Sequence, residues 1–363
     1  MKATILLSLQ LFFSVVTATF VLDKPDCCQE RCYSAMDLIS NCRCRGEKHH
    51  VTTTDGYKLE MHRIQHCHPA PNIKGKPVVL LMHGFFSCSN DFILQCNQSL
   101  GFKLAELGYD VWLGNVRGST YSREHVDLHT DIPDYWNFRR IRVAVALSPI
   151  AHLGDTTDKL LKSLAKISEP LKEVIGKTRD KEVFPHLNLY SDLALKTCCI
   201  SEDSCRKFFT ATTLKETNNM DASILPQIMC YDPTGSSLGT FSHYLQLINS
   251  GKFCMYDWGK DKNLEVYDSV EPPEYPLEEI TCPVYMIASQ KDELATYTNV
   301  RRTCEKIGDN CELYVTPDST LSHSDFLFSR QAPYEIYNIV IEYINRHSPA
   351  PLVPQCPSLK CLH

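Results

Sequence analysis

Three apolar stretches of this chain look like buried strands, and the short connection before the third constrains the fold most. The stretches are PVVLLMHG (77–84), YDVWLGN (109–115) and VAVALSPI (143–150). Neighbouring parallel strands need a crossover of a dozen or more residues, usually a helix. Between the aromatic-rich loop that ends at Phe138 and the third stretch, the chain has only RRIR (139–142). A parallel sheet built from these strands therefore lacks a crossover helix at this junction.

The other elements indicate an α/β fold. A helical segment, FKLAELG (102–108), separates the first two stretches, and strand, helix and strand in succession favour a parallel sheet. Residues 49–65 alternate around Asp55-Gly56, which is the strongest short-range hairpin signal. Strand patterns return at CPVYMIAS (282–289) and CELYVT (311–316). The fold class predicted is α/β with a mostly parallel sheet.

Changes in residue pattern along the chain predict its domain organisation. TTDKLLKSLAKISEPLKEVIG has apolar residues at helical spacing and begins a mostly helical insertion. The predicted segments are a signal peptide (1–18), a Cys-rich segment (19–48), the first part of the core (49–151), the helical insertion (152–255), the second part of the core (256–347) and a Pro-rich tail (348–363).

The N-terminus and the charge limit where the protein works. MKATILLSLQLFFSVVTA has one Lys, an apolar run and small residues, which is the layout of a secretory signal peptide. No stretch approaches the ~20 apolar residues of a membrane span, so we expect no transmembrane anchor. The formal net charge of -6 argues against nucleic acid as a partner. We expect the secretory pathway, with an extracellular or lysosomal destination left open.

The 18 cysteines agree with an oxidising compartment, in which most would pair. The clusters at 27–44 and 198–205 are typical of local staples, that is, disulfides between cysteines that lie close in the sequence. A zinc site is the rival interpretation, but no pair of CxxC motifs with the usual spacing exists, so no metal is predicted. Asn97-Gln98-Ser99 is a glycosylation acceptor.

Three short motifs suggest acyl-transfer chemistry. His83-Gly84-Phe85-Phe86 follows a buried strand, where α/β-hydrolases offer a backbone N–H to an oxyanion, although such a turn can also be purely structural. Asp292 and His323 each follow a later strand, in the order in which this fold places its acid and its base. Singly, either one could be an ordinary surface residue; together they favour a charge-relay pair.

Longer motifs then resemble the acid lipase family, which contains the gastric, lysosomal and insect acid lipases. They are KHHVTTTDGYKLEMHRI, VVLLMHGFFSCSNDFI, LAELGYDVWLGNVRGSTYSREH, YWNF, LSPIAHL, SGKFCMYDWG and HSDFLF, in that order. The resemblance implies an α/β-hydrolase core with a helical cap that acts on triacylglycerols or cholesteryl esters at a lipid–water interface without a cofactor. It also implies that Phe85 supplies the oxyanion-hole N–H, and that Asp292 and His323 are the catalytic acid and base.

One departure from the family is as specific as the match. In the family, YWxF begins a segment with a helix, a central strand, the GHSQG nucleophile elbow and a following helix. Here YWNF (135–138) is followed at once by RRIR and the strand that resembles the family's next one. The serine nucleophile and the oxyanion donor after it are therefore expected to be missing. We expect VVLLMHG and RVAVALS to become direct neighbours, because an unpaired strand edge is costly to bury.

Two other serines were considered as nucleophiles. Ser237 lies in Gly235-Ser236-Ser237-Leu238-Gly239, a literal G-x-S-x-G, but a turn rather than a buried strand precedes it. Ser148 is expected to lie inside a strand without an elbow. Both are interpreted as non-catalytic, and Ser237 as a decoy.

Three functional interpretations remain open. In the first, the protein is a lipid ester hydrolase, and this chain is a shortened isoform or an incomplete gene model of it that is catalytically impaired. Alternatively, it is a secreted non-catalytic lipid binder. A Cys-rich structural protein is disfavoured, since Asp292, His323 and the His-Gly turn are all retained.

Overall fold

A computed structural model describes residues 31–53, 55–67, 75–127, 146–168, 181–183, 188–213, 219–317 and 321–347. The expected signal peptide, most of the junction at 131–145 and the Pro-rich tail lie outside these residues. In the described part, no helix is long and apolar enough to cross a membrane.

The first sheet begins with the predicted hairpin. Strand β1 (Cys44–Thr52) pairs antiparallel with β2 (Tyr57–Cys67). Gly56 has φ +92°, a conformation that glycine adopts without strain, so the Asp55-Gly56 prediction is confirmed. A disulfide between Cys44 and Cys67 closes the open end of the hairpin.

A strand–helix–strand unit completes this sheet. Strand β3 (Val78–Met82) runs parallel to β4 (Asp110–Gly114), and helix α2 (Leu100–Glu106) connects them. Leu100, Phe102 and Leu104 of α2 are buried. Because β2 also pairs with β4, the order is β1-β2-β4-β3, and a two-residue β5 (Glu124–His125) pairs with β2. Helix α1 (Ala35–Asn41) packs beside the hairpin.

The second sheet is parallel and has the order β10-β9-β6. Its strands are β6 (Ala146–Leu147), β9 (Val284–Ala288) and β10 (Cys311–Val315). Helix α9 (Tyr297–Ile307) provides the crossover from β9 to β10, as parallel strands require. The predicted α/β fold with crossover helices is confirmed; the sheet is divided into two parts, of which the first is mixed and the second is parallel.

The division falls between β3 and β6. Strand β3 ends the first sheet, and β6 ends the second; in the described residues the two do not pair. The part of RVAVALS that the structure describes pairs with β9 and not with VVLLMHG, and residues 142–145 lie outside the described residues. The expectation that the two stretches become direct neighbours therefore stays a prediction. Packing still joins the sheets, because Leu81 of β3 and Leu147 of β6 contact the same hydrophobic core. On the edge strand β3, the apolar side chains of Val78 and Leu80 are 66% and 45% exposed.

Helices dominate the predicted insertion. They are α3 (Lys159–Ser168), α4 (Asn188–Cys198), α5 (Glu202–Thr213), α6 (Leu225–Tyr231) and α7 (Leu238–Ser250). Helices α4, α5 and α6 share one buried cluster, whereas α3 and α7 share another with Leu153 and Cys254. A small pair of strands, β7 (Glu182–Val183) and β8 (Ser236–Ser237), precedes α7. The exact domain boundaries stay a prediction.

The remaining helices lie after the insertion. They are α8 (Lys260–Tyr267) and, beyond β10, α10 (Asp325–Phe328), α11 (Ala332–Glu335) and α12 (Tyr337–His347). Tyr337, Val340 and Tyr343 of α12 are buried in the core that joins the two sheets. The C-terminal helix therefore stabilises both sheets at once.

The disulfides are less local than the cysteine clusters suggest. Cys198–Cys205 is a staple of the expected kind, but Cys32 pairs with Cys230 across 198 residues. Two further pairs are Cys42–Cys96 and Cys304–Cys311. The expectation of purely local staples is thus wrong for Cys32 and Cys42, whose partners lie on distant segments. In the described residues, no cluster of three or more His, Cys, Asp or Glu side chains could hold a metal ion.

Candidate active site

Asp292 follows the carboxyl end of β9 and is held rigidly. It is 2% exposed, and its Oδ1 atom accepts hydrogen bonds from the backbone N–H groups of Leu294 (2.9 Å) and Ala295 (2.8 Å). Both bonds come from the turn that directly follows the acid. One oxygen of the carboxylate is therefore held by backbone groups of the residues that directly follow it.

His323 meets Asp292 from the segment after β10. Its Nδ1 atom donates to the Oδ2 atom of Asp292 at 2.9 Å, since a carboxylate can only accept. The His323 side chain is 24% exposed. Its Nε2 atom has no hydrogen-bond partner among the described residues. The pair thus has the acid–base arrangement of a hydrolase, with the second ring nitrogen open.

Electrostatics keeps Asp292 ionised. Burial by itself would raise the pKa of this carboxyl group. The charge and the hydrogen bond of His323, together with the Ser148 hydroxyl and the Leu294 N–H, outweigh burial and hold the pKa below its ordinary value. A charged carboxylate is what the base needs in order to keep its orientation.

Ser148 is a third member of this cluster, and sequence reasoning missed it. It does not lie inside a strand, as expected, but directly after β6, with φ +47°. Its N–H donates to the Ile287 carbonyl at 2.9 Å, and its hydroxyl donates to the Oδ2 atom of Asp292. The signal that could have found it is position, because β6 and β9 are parallel neighbours whose carboxyl ends meet.

Asp325 holds the loop that carries His323. Its Oδ2 atom accepts from the Ser322 N–H at 2.8 Å and from the Ser322 hydroxyl at 2.8 Å. The same oxygen accepts from the Asn219 amide at 3.1 Å. Because Asn219 belongs to the helical insertion, this carboxylate ties the insertion to the base-bearing loop.

The His-Gly turn after β3 is clamped on both sides. The Val116 N–H donates to the Nε2 atom of His83 at 3.1 Å, so Nδ1 carries the proton that is donated to the Gly84 carbonyl at 2.8 Å. Burial lowers the pKa of His83 to about 4, so this ring is neutral. Phe86 has φ +64°, and its carbonyl accepts from Thr234 N–H at 2.8 Å.

Phe85 lies at the centre of this turn. Its backbone N–H has no hydrogen-bond partner in the part of the chain that the structure describes. Its ring contacts Phe86 (3.8 Å between centroids) and Tyr244 (4.8 Å), and it stacks on Phe241 (6.5 Å). Since Phe241 and Tyr244 belong to α7, the helical insertion covers the turn with an aromatic layer.

Comparison with known proteins agrees with this arrangement. Residues 35–96 match the sequence profile described as a partial alpha/beta-hydrolase lipase region. Gastric triacylglycerol lipase of Bos taurus is 29% identical, with 86% of this chain and 91% of that protein covered. Over most of its length the chain is similar in sequence to acid lipases. Its fold is that of an α/β-hydrolase.

Similar lipases also come from an insect and a plant. Lipase 3 of Drosophila melanogaster is 27% identical, with 83% of this chain and 90% of that protein covered. Triacylglycerol lipase 1 of Arabidopsis thaliana is 29% identical, with 85% and 89% covered. Among solved structures, a soluble variant of monoglyceride lipase from Saccharomyces cerevisiae has a TM-score of 0.44 and 12% identity, with 84% of this chain and 97% of that chain covered.

Ser237, the serine of the G-x-S-x-G motif, forms hydrogen bonds at the start of α7. Ser237 is 2% exposed and precedes α7, where its Oγ atom accepts from the Thr240 N–H at 3.0 Å and contacts the Thr240 hydroxyl at 2.8 Å. A Cβ atom on Gly235 would lie 1.9 Å from the Glu182 carboxylate. Ser237 therefore caps α7, and Gly235 leaves room for the Glu182 carboxylate. That Ser237 is a decoy stays a prediction.

Asn97 lies on the surface. It is exposed in the short 3-10 helix Cys96–Gln98, one residue beyond the Cys42–Cys96 disulfide. Glycosylation of Asn97 stays a prediction, as does secretion.

Proposed function

We propose that this chain has the scaffold of a lipid ester hydrolase but lacks the serine nucleophile, so that the sequence as it stands does not turn over lipid esters. Asp292 and His323 are its retained acid and base, and Phe85 offers its N–H to the oxyanion. The observation that carries the proposal is the open Nε2 atom of His323, which no described hydroxyl or thiol contacts.

The division of the sheet supports this proposal. The family resemblance places the elbow strand immediately before the strand that corresponds to β6. In this chain, β3 and β6 each end a sheet and do not pair within the described residues. A strand removed from between them would leave these two edges.

The lengths of the alignments give independent support. The alignment to the bovine gastric lipase has 366 positions, but 86% of this 363-residue chain is only about 312 residues, so about 54 positions have no counterpart here. For the Drosophila lipase, 354 positions compare with about 301 residues, which leaves about 53. A helix, a strand, an elbow and a second helix need roughly 40–50 residues at average element lengths.

The catalytic consequence is large. Without a serine, His323 has no attacking hydroxyl to deprotonate, and binding with the oxyanion hole leaves only ~10³–10⁴-fold acceleration over water. The oxyanion donor that follows the nucleophile would also be missing, at a further cost of roughly 10²–10³ in rate. Ester turnover should therefore lie near the detection limit.

Restoring the elbow is the constructive test. The segment of the bovine gastric lipase between its YWxF and LAPVA-like motifs is inserted between Phe138 and Arg139. We expect the insert to confer hydrolysis of a triacylglycerol that the unmodified chain lacks, and His323→Ala should abolish that gain. The matched control inserts the same segment with its elbow serine changed to alanine. Equal hydrolysis with and without the insert would contradict the proposal.

Sequencing the transcript distinguishes a shortened form of an active lipase from a non-catalytic lipid binder. An incomplete gene model or a shortened isoform predicts a longer in-frame message across codons 138–139 that encodes Gly-His-Ser-x-Gly. A non-catalytic lipid binder predicts no such message. The aromatic layer of Phe85, Phe86, Phe241 and Tyr244 favours retained lipid binding in either case.

A further inference from the structure

Helix α3 (Lys159–Ser168) has one face packed in the protein. Leu161 and Leu164 contact the cluster around buried Ala165, Leu245 and Ile248. The Asn249 amide also donates to the Ala165 carbonyl at 2.9 Å. Helix α3 is therefore firmly attached to α7 along its inner face, and what faces outward is fixed by the helical period.

The outer face of α3 is divided into two stripes. At 100° per residue, Lys159, Lys162 and Lys166 lie on one flank, whereas Leu160 and Ile167 lie one above the other on the opposite flank. Leu160 is 48% exposed and Ile167 is 57% exposed. A helix with a lysine stripe beside exposed aliphatic side chains is typical of segments that lie in a lipid–water interface.

The lysines of this surface are not neutralised. All three are exposed, and none forms an ion pair in the described part of the chain. Helix α3 itself contains no acidic residue. The nearest acid, Asp158, is used as a cap, because its Oδ1 atom accepts from the Leu161 N–H at 2.9 Å. A chain with a net charge of -6 thus carries a local positive stripe, where a lipid surface could meet it.

The outer face of α3 belongs to a helix that packs on the cover of the candidate site. Helix α3 packs on α7, and α7 supplies Phe241 and Tyr244, which cover the ring of Phe85. A lipid surface bound to the outer face of α3 would therefore be separated by α3 alone from the helix that covers the oxyanion turn.

We propose that the outer face of α3, formed by Lys159, Leu160, Lys162, Lys166 and Ile167, docks on an anionic phospholipid surface. This inference rests on the proposed lipid-related function and deepens it by naming the surface and the charge of its partner. The lysines contact the headgroups, and the two aliphatic side chains enter the boundary between headgroups and acyl chains. Each lysine near an anionic membrane contributes about fivefold to partitioning at low salt.

The test measures partitioning of the full chain onto vesicles of phosphatidylcholine with and without phosphatidylglycerol. Lys159→Gln, Lys162→Gln and Lys166→Gln together should lower partitioning onto the anionic vesicles on the order of 100-fold at low salt. The matched control changes three other exposed lysines without ion pairs, Lys181→Gln, Lys196→Gln and Lys260→Gln. It removes the same charge and should change partitioning less than twofold.

A second variant keeps the lysines and changes the apolar stripe. Leu160→Ser with Ile167→Ser should weaken partitioning onto both vesicle types, and these exposed changes should leave the thermal unfolding midpoint within experimental error. Three results would overturn the inference: no partitioning by the unmodified chain, no effect of the α3 lysine variant, or an equal effect of the control.

Failure of this inference is distinguishable from failure of the proposed function. The chain with the grafted elbow is assayed on a soluble monomeric ester, for which no surface is needed. Its turnover should be unchanged by the α3 lysine variant. Turnover of the soluble ester without vesicle binding would remove the docking surface and keep the hydrolase scaffold.

Discussion

Ser148 donates its hydroxyl hydrogen bond to the Oδ2 atom of Asp292, the same oxygen that accepts from His323. The serine therefore contacts the acid and not the open Nε2 atom of the base. A hydroxyl in this position cannot be deprotonated by Nε2, and it acts instead as a positioning residue for the carboxylate. The contact with Ser148 therefore helps to hold the Asp292 carboxylate in place beside His323.

Ser148→Ala should destabilise the protein through Asp292. A hydrogen bond to a charged group contributes about 1.5–3 kcal/mol, and its loss raises the pKa of Asp292. Because the pKa of Asp292 is lowered in the folded state, its contribution to stability is present above the unfolded value of 3.8 and is lost as pH falls through the folded value. In the variant, that loss should begin at higher pH.

Urea unfolding of the Ser148→Ala variant over a pH series measures this effect. Ser163→Ala serves as the control, because its hydroxyl donates only to the Lys159 carbonyl on the exposed side of α3. An identical pH profile for wild type and Ser148→Ala would show that Ser148 does not act through Asp292.

Asp91→Asn should stabilise the protein near neutral pH. Burial raises the pKa of Asp91 to about 7 although the Ser87 hydroxyl donates to it. The folded state therefore binds a proton that the unfolded state, with a pKa near 3.8, has released, so stability falls as pH rises from about 4 to 7. The variant removes this fall, which amounts to at most about 4 kcal/mol.

Chemical unfolding at pH 4 and at pH 8 provides the measurement for Asp91→Asn. The variant and the wild type should have similar stability at pH 4 and should separate at pH 8. A constant difference at both values would mean that Asp91 does not change its ionisation on folding.

His83 should make stability rise with pH between about 4 and 6.5, which is opposite to the effect of Asp91. Burial lowers the pKa of His83 to about 4, so the unfolded state binds more protons between pH 4 and 6.5, and stability from this group is lost as pH falls. Protonation would also place an N–H opposite the Val116 N–H that donates to Nε2. The ring signals of His83, assigned by comparison with His83→Gln, should titrate near pH 4 in an NMR experiment. Titration near 6.5 would contradict the buried, neutral ring.

Ser237→Ala should affect stability and not chemistry. Loss of a serine N-cap costs about 0.5–2 kcal/mol, because the Thr240 N–H loses its acceptor. In the chain with the grafted elbow, ester turnover should be unchanged. Ser237→Thr keeps the capping hydroxyl and is the matched control for stability. Loss of turnover in Ser237→Ala that Ser237→Thr does not recover, although its stability is restored, would make Ser237 a nucleophile.

The sequence predicted those parts of the fold that local patterns specify. The Asp55-Gly56 turn fixes its hairpin, and the unit of β3, α2 and β4 follows from apolar runs around an amphipathic helix. The positions of Asp292 and His323, each just after a strand, were also sufficient to anticipate that the two side chains meet. Their catalytic role stays a proposal.

What the sequence did not predict depends on distant contacts. The pairing of Cys32 with Cys230 requires the helical insertion to pack on the N-terminal segment, which no local spacing encodes. Ser148 looked like a strand residue because its hydrogen bond to Asp292 exists only after β6 and β9 pair. Among the described residues, β3 and β6 end separate sheets, because β6 pairs with β9, which lies far from it in sequence.

Active-site labelling decides whether this chain has a nucleophile. The purified chain, without any graft, is treated with a serine-directed fluorophosphonate, and intact-mass and peptide mass spectrometry locate the adducts. No stoichiometric adduct should form at any serine, and the grafted chain should be labelled at its elbow serine. Stoichiometric labelling of Ser237 or Ser148 in the unmodified chain, lost in His323→Ala, would contradict the proposed absence of a nucleophile.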